Sequence, residues 1–99
     1  MALTLAGASL TEDGVTAVVA WRGGRGTAAA YGTFGSGTAT LEVSYDGGTT
    51  WFAVGSDTAL TEDGHGNFEL PSAVQLRWDL DGASTPDVEF QIIPHIGTK

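Results

Sequence analysis

Thr38-Ala39-Thr40-Leu41-Glu42-Val43-Ser44-Tyr45 alternates without a break: Ala39, Leu41, Val43 and Tyr45 fall on one face, Thr38, Thr40, Glu42 and Ser44 on the other. A period of two marks a strand with one side on a core and one in water. Val74-Gln75-Leu76-Arg77-Trp78-Asp79-Leu80 repeats the pattern, and so does Val88-Glu89-Phe90-Gln91-Ile92. Thr16 to Trp21 is apolar on both faces, which predicts a strand covered on both sides. Thr27 to Phe34 reads as an Ala-rich strand with a bulge or close backbone approach at Gly32 and Gly35. Thr50 to Val54 and Asn67 to Leu70 read as short strands, and Leu3 to Ala6 as an edge strand. No segment holds apolar residues at i, i+3, i+4, i+7 over the length of a helix. Gly and Asp/Asn clusters divide the strands at intervals of roughly 8–12 residues. The expected fold is one all-β domain over residues 1–99, an antiparallel β-sandwich, jelly-roll or Ig-like, of about 7–8 strands.

Twelve acids face four bases (Arg22, Arg25, Arg77, Lys99), giving a net charge of −8 and a pI near 4.2. Such a chain is repelled by phosphate backbones and anionic lipid, so neither nucleic acid nor membrane is expected as a partner. With no Cys there is no disulfide framework, thiolate zinc site or thiol nucleophile. A small domain without such staples suits a reducing cytoplasm. The opening Met1-Ala2-Leu3-Thr4-Leu5-Ala6 lacks a basic residue and leads into Glu12-Asp13, unlike a signal peptide. For 10.2 kDa, area scaling gives about 5,300 Å² exposed when folded and about 64% of the unfolded surface buried. That is a small core, and a partner surface would add to its stability.

Two local patterns stand out. Ser44-Tyr45-Asp46-Gly47-Gly48-Thr49-Thr50-Trp51 fits S-x-D-x-G-x-T-W, the Asp-box signature, at every defined position. It predicts a hairpin tip. Asp46 accepts hydrogen bonds from loop N–H groups, Gly47 and Gly48 supply positive φ, Trp51 covers the turn, and Ser44 pairs with Thr50 across the strands. Asp-boxes are best known from sialidase propellers, where they lie away from the catalytic centre, and a propeller needs more chain than this. Ser44, Asp46, Gly48, Thr50 and Trp51 are thus a folding device. Leu10-Thr11-Glu12-Asp13-Gly14 recurs as Leu60-Thr61-Glu62-Asp63-Gly64. Two readings fit: two similar halves, or one turn chemistry used twice.

Residues able to carry chemistry are present but not arranged for it. Glu12/Asp13, Glu62/Asp63 and Asp79/Asp81 fall in turns or on outer strand faces, where solvated charge is the expected role. Asp79-Leu80-Asp81-Gly82 resembles half a calcium loop without the closing Glu in register, and reads better as a turn. His65 lies in a glycine-rich tip and His95 follows Pro94, with no third ligand at suitable spacing. No nucleophile elbow is present. Arg22-Gly23-Gly24-Arg25-Gly26 reads as a loop between strands, its two cations open to acids on a neighbouring subunit. Trp21, Tyr31, Tyr45, Trp51 and Trp78 mostly share inward parity and are expected in the core. No catalytic residue, metal or cofactor is expected.

Taken in order, Tyr31-Gly32-Thr33-Phe34, Ala39 to Trp51, Gly66-Asn67-Phe68-Glu69-Leu70-Pro71 and Val74-Gln75-Leu76-Arg77-Trp78 resemble small virion structural proteins of tailed bacteriophages. The likeness spans roughly residues 27–93, and the order of the motifs is more specific than any one of them. It implies a head decoration (cement) protein, non-enzymatic, made in the bacterial host cytoplasm and carried on the outer head surface of the virion. The implied partners are the major capsid protein and further copies of the chain, expected as a homotrimer to match the three-fold positions of a shell. Candidate interface positions are Leu3 and Leu5, Arg22 and Arg25, and the apolar Ile93-Pro94-His95-Ile96. The alternative is a glycan-binding module of a phage fibre or receptor-binding assembly. A chain running from Met1 to Lys99 without a linker is expected to stand alone rather than as part of a fibre.

Overall fold

The computed structural model describes residues 8–55 and 58–94, and the edge strand expected at Leu3 to Ala6 lies outside them. In chain order the strands are β1 (Ala8–Leu10), β2 (Gly14–Val15), β3 (Val19–Trp21), β4 (Gly24–Thr33), β5 (Thr38–Ser44), β6 (Phe52–Ala53), β7 (Ala59–Leu60), β8 (Gly64–Leu70), β9 (Val74–Asp81) and β10 (Asp87–Pro94). They form two antiparallel sheets. One has the order β1-β10-β4-β8; in the other, β9 and β5 are central, with β2 and β3 along β9 and β6 and β7 along β5. With each divided edge taken as one strand, the expected number of about eight returns. The first strand then pairs with the last, the second with the seventh, the third with the sixth and the fourth with the fifth. That is a long hairpin rolled over itself, a jelly-roll sandwich rather than an Ig-like one.

The edges are divided for a physical reason. Gly14 pairs with Leu80 and Val19 with Leu76, so five steps along the edge match four along β9. The extra residue is a β-bulge. Thr16 holds it: its N–H donates to the Trp78 carbonyl at 2.9 Å and its Oγ1 accepts the Trp78 N–H at 3.0 Å. The expectation of a strand covered on both sides is therefore corrected. This is an edge, with Trp21 buried in the core but Val15 45% and Val18 49% exposed. The opposite edge breaks between β6 and β7, where Val54 still donates to the Leu41 carbonyl at 2.9 Å.

The core sits between the two inner faces. β4 contributes only Gly26, Ala28 and Ala30, while β9 contributes Val74, Leu76, Trp78 and Leu80 and β10 contributes Val88, Phe90 and Ile92. Small residues on β4 leave room for large ones opposite, as dense packing requires. Trp78 lies 5.3 Å from Phe90, and Trp21 lies 5.0 Å from Phe68, ring centre to ring centre. A Cβ on Gly26 would stand 2.6 Å from Trp21 and 2.8 Å from Phe68, so that glycine is a packing requirement. The accessible surface, 5421 Å², is close to the value expected for the mass.

The five-residue repeat has a structural meaning. Its first copy turns the chain from β1 in one sheet to β2 in the other, and its second from β7 back to β8. Leu10 and Leu60 both pack against the core. Asp13 accepts the N–H of Gly82 at 3.1 Å and Asp63 that of Gly32 at 2.8 Å, the two glycines standing fifty residues apart just as the two acids do. Gly14 pairs with Leu80 and Gly64 with Ala30, again fifty apart. Exchanging the two halves of the chain turns one strand order into the other, so the repeat marks equivalent corners of a topology with approximate two-fold symmetry.

Candidate functional site

The two ends of the sandwich differ. One carries both repeat corners and the loops at 34–37 and 82–86, which meet where Ser84 donates to the Gly35 carbonyl at 2.9 Å. The other carries the Asp-box hairpin, the Arg22–Gly24 turn, the turn before β9 and the end of β10. That second end gathers most of the candidate residues.

In the hairpin, Asp46 Oδ1 accepts three hydrogen bonds: from Ser44 Oγ at 2.9 Å, Thr49 N at 3.1 Å and Thr50 N at 2.8 Å. Ser44 Oγ also accepts from Gly48 N at 2.8 Å. The expected Ser44–Thr50 cross-strand pair is therefore corrected: the Ser44 hydroxyl, buried with its residue, is taken up inside the turn. The backbone N–H of Thr50, its hydroxyl and the Ser44 hydroxyl hold the Asp46 carboxyl down at about 2. Gly47 and Gly48 have φ of 81° and 101°, a region L side chains avoid. Trp51 Nε1 donates to the Gly48 carbonyl at 3.0 Å, and the Arg77 guanidinium sits 4.1 Å from the Trp51 ring centre. Arg77 Nε in turn donates to Glu42 Oε1 at 2.7 Å. The Ser44, Asp46, Thr50 and Trp51 side chains thus serve the turn or fasten it to β9.

Of the interface candidates, Leu3, Leu5, His95 and Ile96 lie outside the described residues, as does the side chain of Pro94. Arg22 and Arg25 are exposed and Ile93 is half-buried. Ile93 pairs with Thr27 and Pro94 with Gly26, so the fold brings the end of β10 beside Arg25. Arg25 pairs on its other side with Glu69.

Three of the five large aromatics expected mostly inside depart from the core: Tyr31 and Tyr45 are 39% and 57% exposed, and Trp51 is half-buried. Tyr45 shares the parity of Val43 but lies beyond the end of β5. It meets Phe52, itself 53% exposed, at 6.1 Å with the rings inclined by 49°. Val18 was not legible as a surface residue, because it sits in the Thr16 to Trp21 stretch, which is apolar on both faces.

The acids serve structure or solvent. Asp13 and Asp63 hold loop N–H groups, and among the described residues no three His, Cys, Asp or Glu side chains are grouped to hold a metal. Asp79 is raised above the ordinary carboxylate value, first by partial burial and then by Glu42 and Asp81 nearby, with Arg77 opposing. The described clefts are shallow; one of about 570 Å³ opens between Gly32–Ser36 and Thr61–Asp63. Comparison with protein-family models, with curated proteins and with solved structures found no match for this chain.

Proposed function

We propose that the chain is a non-enzymatic decoration protein of a tailed-phage head, which docks on the assembled shell and stabilises it. The observation that carries this reading is the distribution of exposed apolar bulk. Four of the five large exposed hydrophobics among the described residues belong to the β2/β3-β9-β5-β6/β7 side: Val15 and Val18 on one edge, Tyr45 and Phe52 by the other. Between them lie Glu42, Arg77 and Asp79. Phe52 stands opposite the inward Val43 and Tyr45 keeps that parity, so the four side chains lie along the two edges of this sheet rather than in a pocket, and apolar bulk so placed suits contact with a broad protein surface. The resemblance of the ordered motifs to small virion proteins supports the same reading, and a net charge of −8 keeps free copies soluble and apart. Purified protein mixed with expanded heads lacking it binds in a saturable, symmetry-related ratio, and Val18→Ser with Phe52→Ser lowers that occupancy without unfolding the domain. Absence of binding to heads of the phage that encodes it overturns the proposal.

A glycan-binding module would draw first on Tyr45 and Phe52, two exposed rings in contact. Rings inclined by 49° do not form one flat stacking platform. A hit on a glycan array that Tyr45→Ala abolishes would favour this second reading.

A further inference from the structure

The four sheet edges are not equally protected. Both edges of the β2/β3-β9-β5-β6/β7 sheet are interrupted, and among the described residues β1 covers only Ala8–Leu10. β8 is different: Gly64–Leu70 runs in unbroken register with β4 on one side and pairs with no strand on the other among the described residues. Bulged or short edges resist the addition of a strand, whereas a long regular edge accepts one.

We propose that the outer side of β8 is a self-recognition edge, where β8 of a second copy pairs antiparallel about a two-fold axis at Asn67. The strand is complementary to its own reverse. In this register His65 stands opposite the partner's Glu69, twice by symmetry, and both residues are exposed. An imidazole N–H opposite a carboxylate donates to it. On the inner face, Gly66 stands opposite the partner's Phe68 and Gly64 opposite the partner's Leu70, small against large at each position. Asn67 meets its own counterpart. Neighbouring registers fail. Centring on Gly66 sets Glu69 against the partner's Asp63, and centring on Phe68 sets Phe68 against itself and His65 against Pro71. A register shifted by half a step puts inward residues against outward ones.

The space beside the edge fits as well. A groove of about 220 Å³ separates Asn67–Leu70 from Val54, Gly55 and Thr58. The partner's residues entering there, opposite Phe68 and Leu70, are glycines, so the groove receives backbone and no side chain. The contact is isologous and yields pairs, not the trimer expected from the sequence, and it needs no capsid, so it stands apart from the virion reading. One strand pairing buries less than the roughly 1,200–2,000 Å² of a standard interface, so the pair is weak, and copies charged −8 must be compared in screening salt.

Sedimentation equilibrium of the full chain, up to on the order of 500 µM and in 0.15 M salt or above (the Debye length there is about 8 Å), tests it. The expected result is a monomer–dimer equilibrium, weakened about tenfold in His65→Glu and restored in His65→Glu/Glu69→Lys, in which the opposite charges are exchanged. The chain has no Cys, so Asn67→Cys carries a single thiol placed on the axis. Mild oxidation links it into dimers, while Thr49→Cys on the hairpin tip stays largely unlinked. A monomer at every concentration, a trimer, a dimer indifferent to His65→Glu or not restored by the exchange, or equal linking of the two thiols each overturns the proposal.

Discussion

Thr16 does with a side chain what a strand does with its backbone. At the bulge no carbonyl is presented to the Trp78 N–H, and the Thr16 hydroxyl accepts it at 3.0 Å instead. Trp78 has no exposed surface, so water offers no substitute. Thr16→Val keeps the shape and leaves that N–H without an acceptor, which costs about 1–3 kcal/mol in urea unfolding, while Thr16→Ser retains most of the stability. Equal midpoints for Val and Ser variants would show that the hydroxyl is not the support. Asp46 makes a pH-dependent contribution whose sign follows from its hydrogen bonds. Its carboxyl is near 2 in the fold against 3.8 when unperturbed, so the unfolded chain takes up its proton first. Its stabilisation is full above about pH 4 and is lost as pH falls through 2. Melting curves from pH 5 to pH 2 should therefore fall more steeply for the wild type than for Asp46→Asn. Parallel curves would mean that the turn does not depend on this charge.

The strands differ in how plainly their sequences announce them. β5, β9 and β10 each have one covered and one wet face, and alternation alone places them. Thr16 to Trp21 misleads because the bulge consumes one residue and shifts parity halfway along. An apolar run covered twice and an apolar run on a bulged edge look the same until the partner strand's register is known. Tyr45 misleads for a related reason: it keeps the beat of β5 but passes the end of the ladder. The Asp-box was legible as a turn because its hydrogen bonds are local, whereas the Asp13 and Asp63 bonds to Gly82 and Gly32 join distant stretches. On the outer face of β9, Asp79 illustrates an interaction that only the assembled sheet creates. β5 places Thr40 opposite Asp79 and Glu42 opposite Arg77, and the acids crowd around the half-buried carboxyl. Its raised value means that the charged form is penalised in the fold, fully at neutral pH and not below the unperturbed 3.8. Asp79→Asn is expected to melt above the wild type at pH 7, with the gap closing as pH falls toward 4. A lower melting point for the variant at pH 7 would show that Asp79 is a net support.

Across the whole molecule the charge balance works against the fold that the core provides. Twelve acids share the chain with four bases, and among the described residues the one ion pair is Glu42–Arg77. Both partners of that pair are mostly shielded by Trp51 and β5, so salt weakens it little, while the exposed acids at the repeat corners and on the outer face of β10 are open to screening. Compaction brings like charges closer than they stand in the unfolded chain, and a core of this size has little stability in reserve. Raising sodium chloride from about 10 mM, where the Debye length is about 30 Å, to about 0.5 M should therefore raise the melting temperature. If screening returns about 1 kcal/mol, the shift is about 4–8 °C for a domain of this length. Chloride should match other monovalent anions, since screening depends on ionic strength. A melting temperature that is flat or falls over this range would show that the acids lie far enough apart to be harmless. A rise seen with sulfate but not chloride would point to surface exclusion rather than relief of self-repulsion.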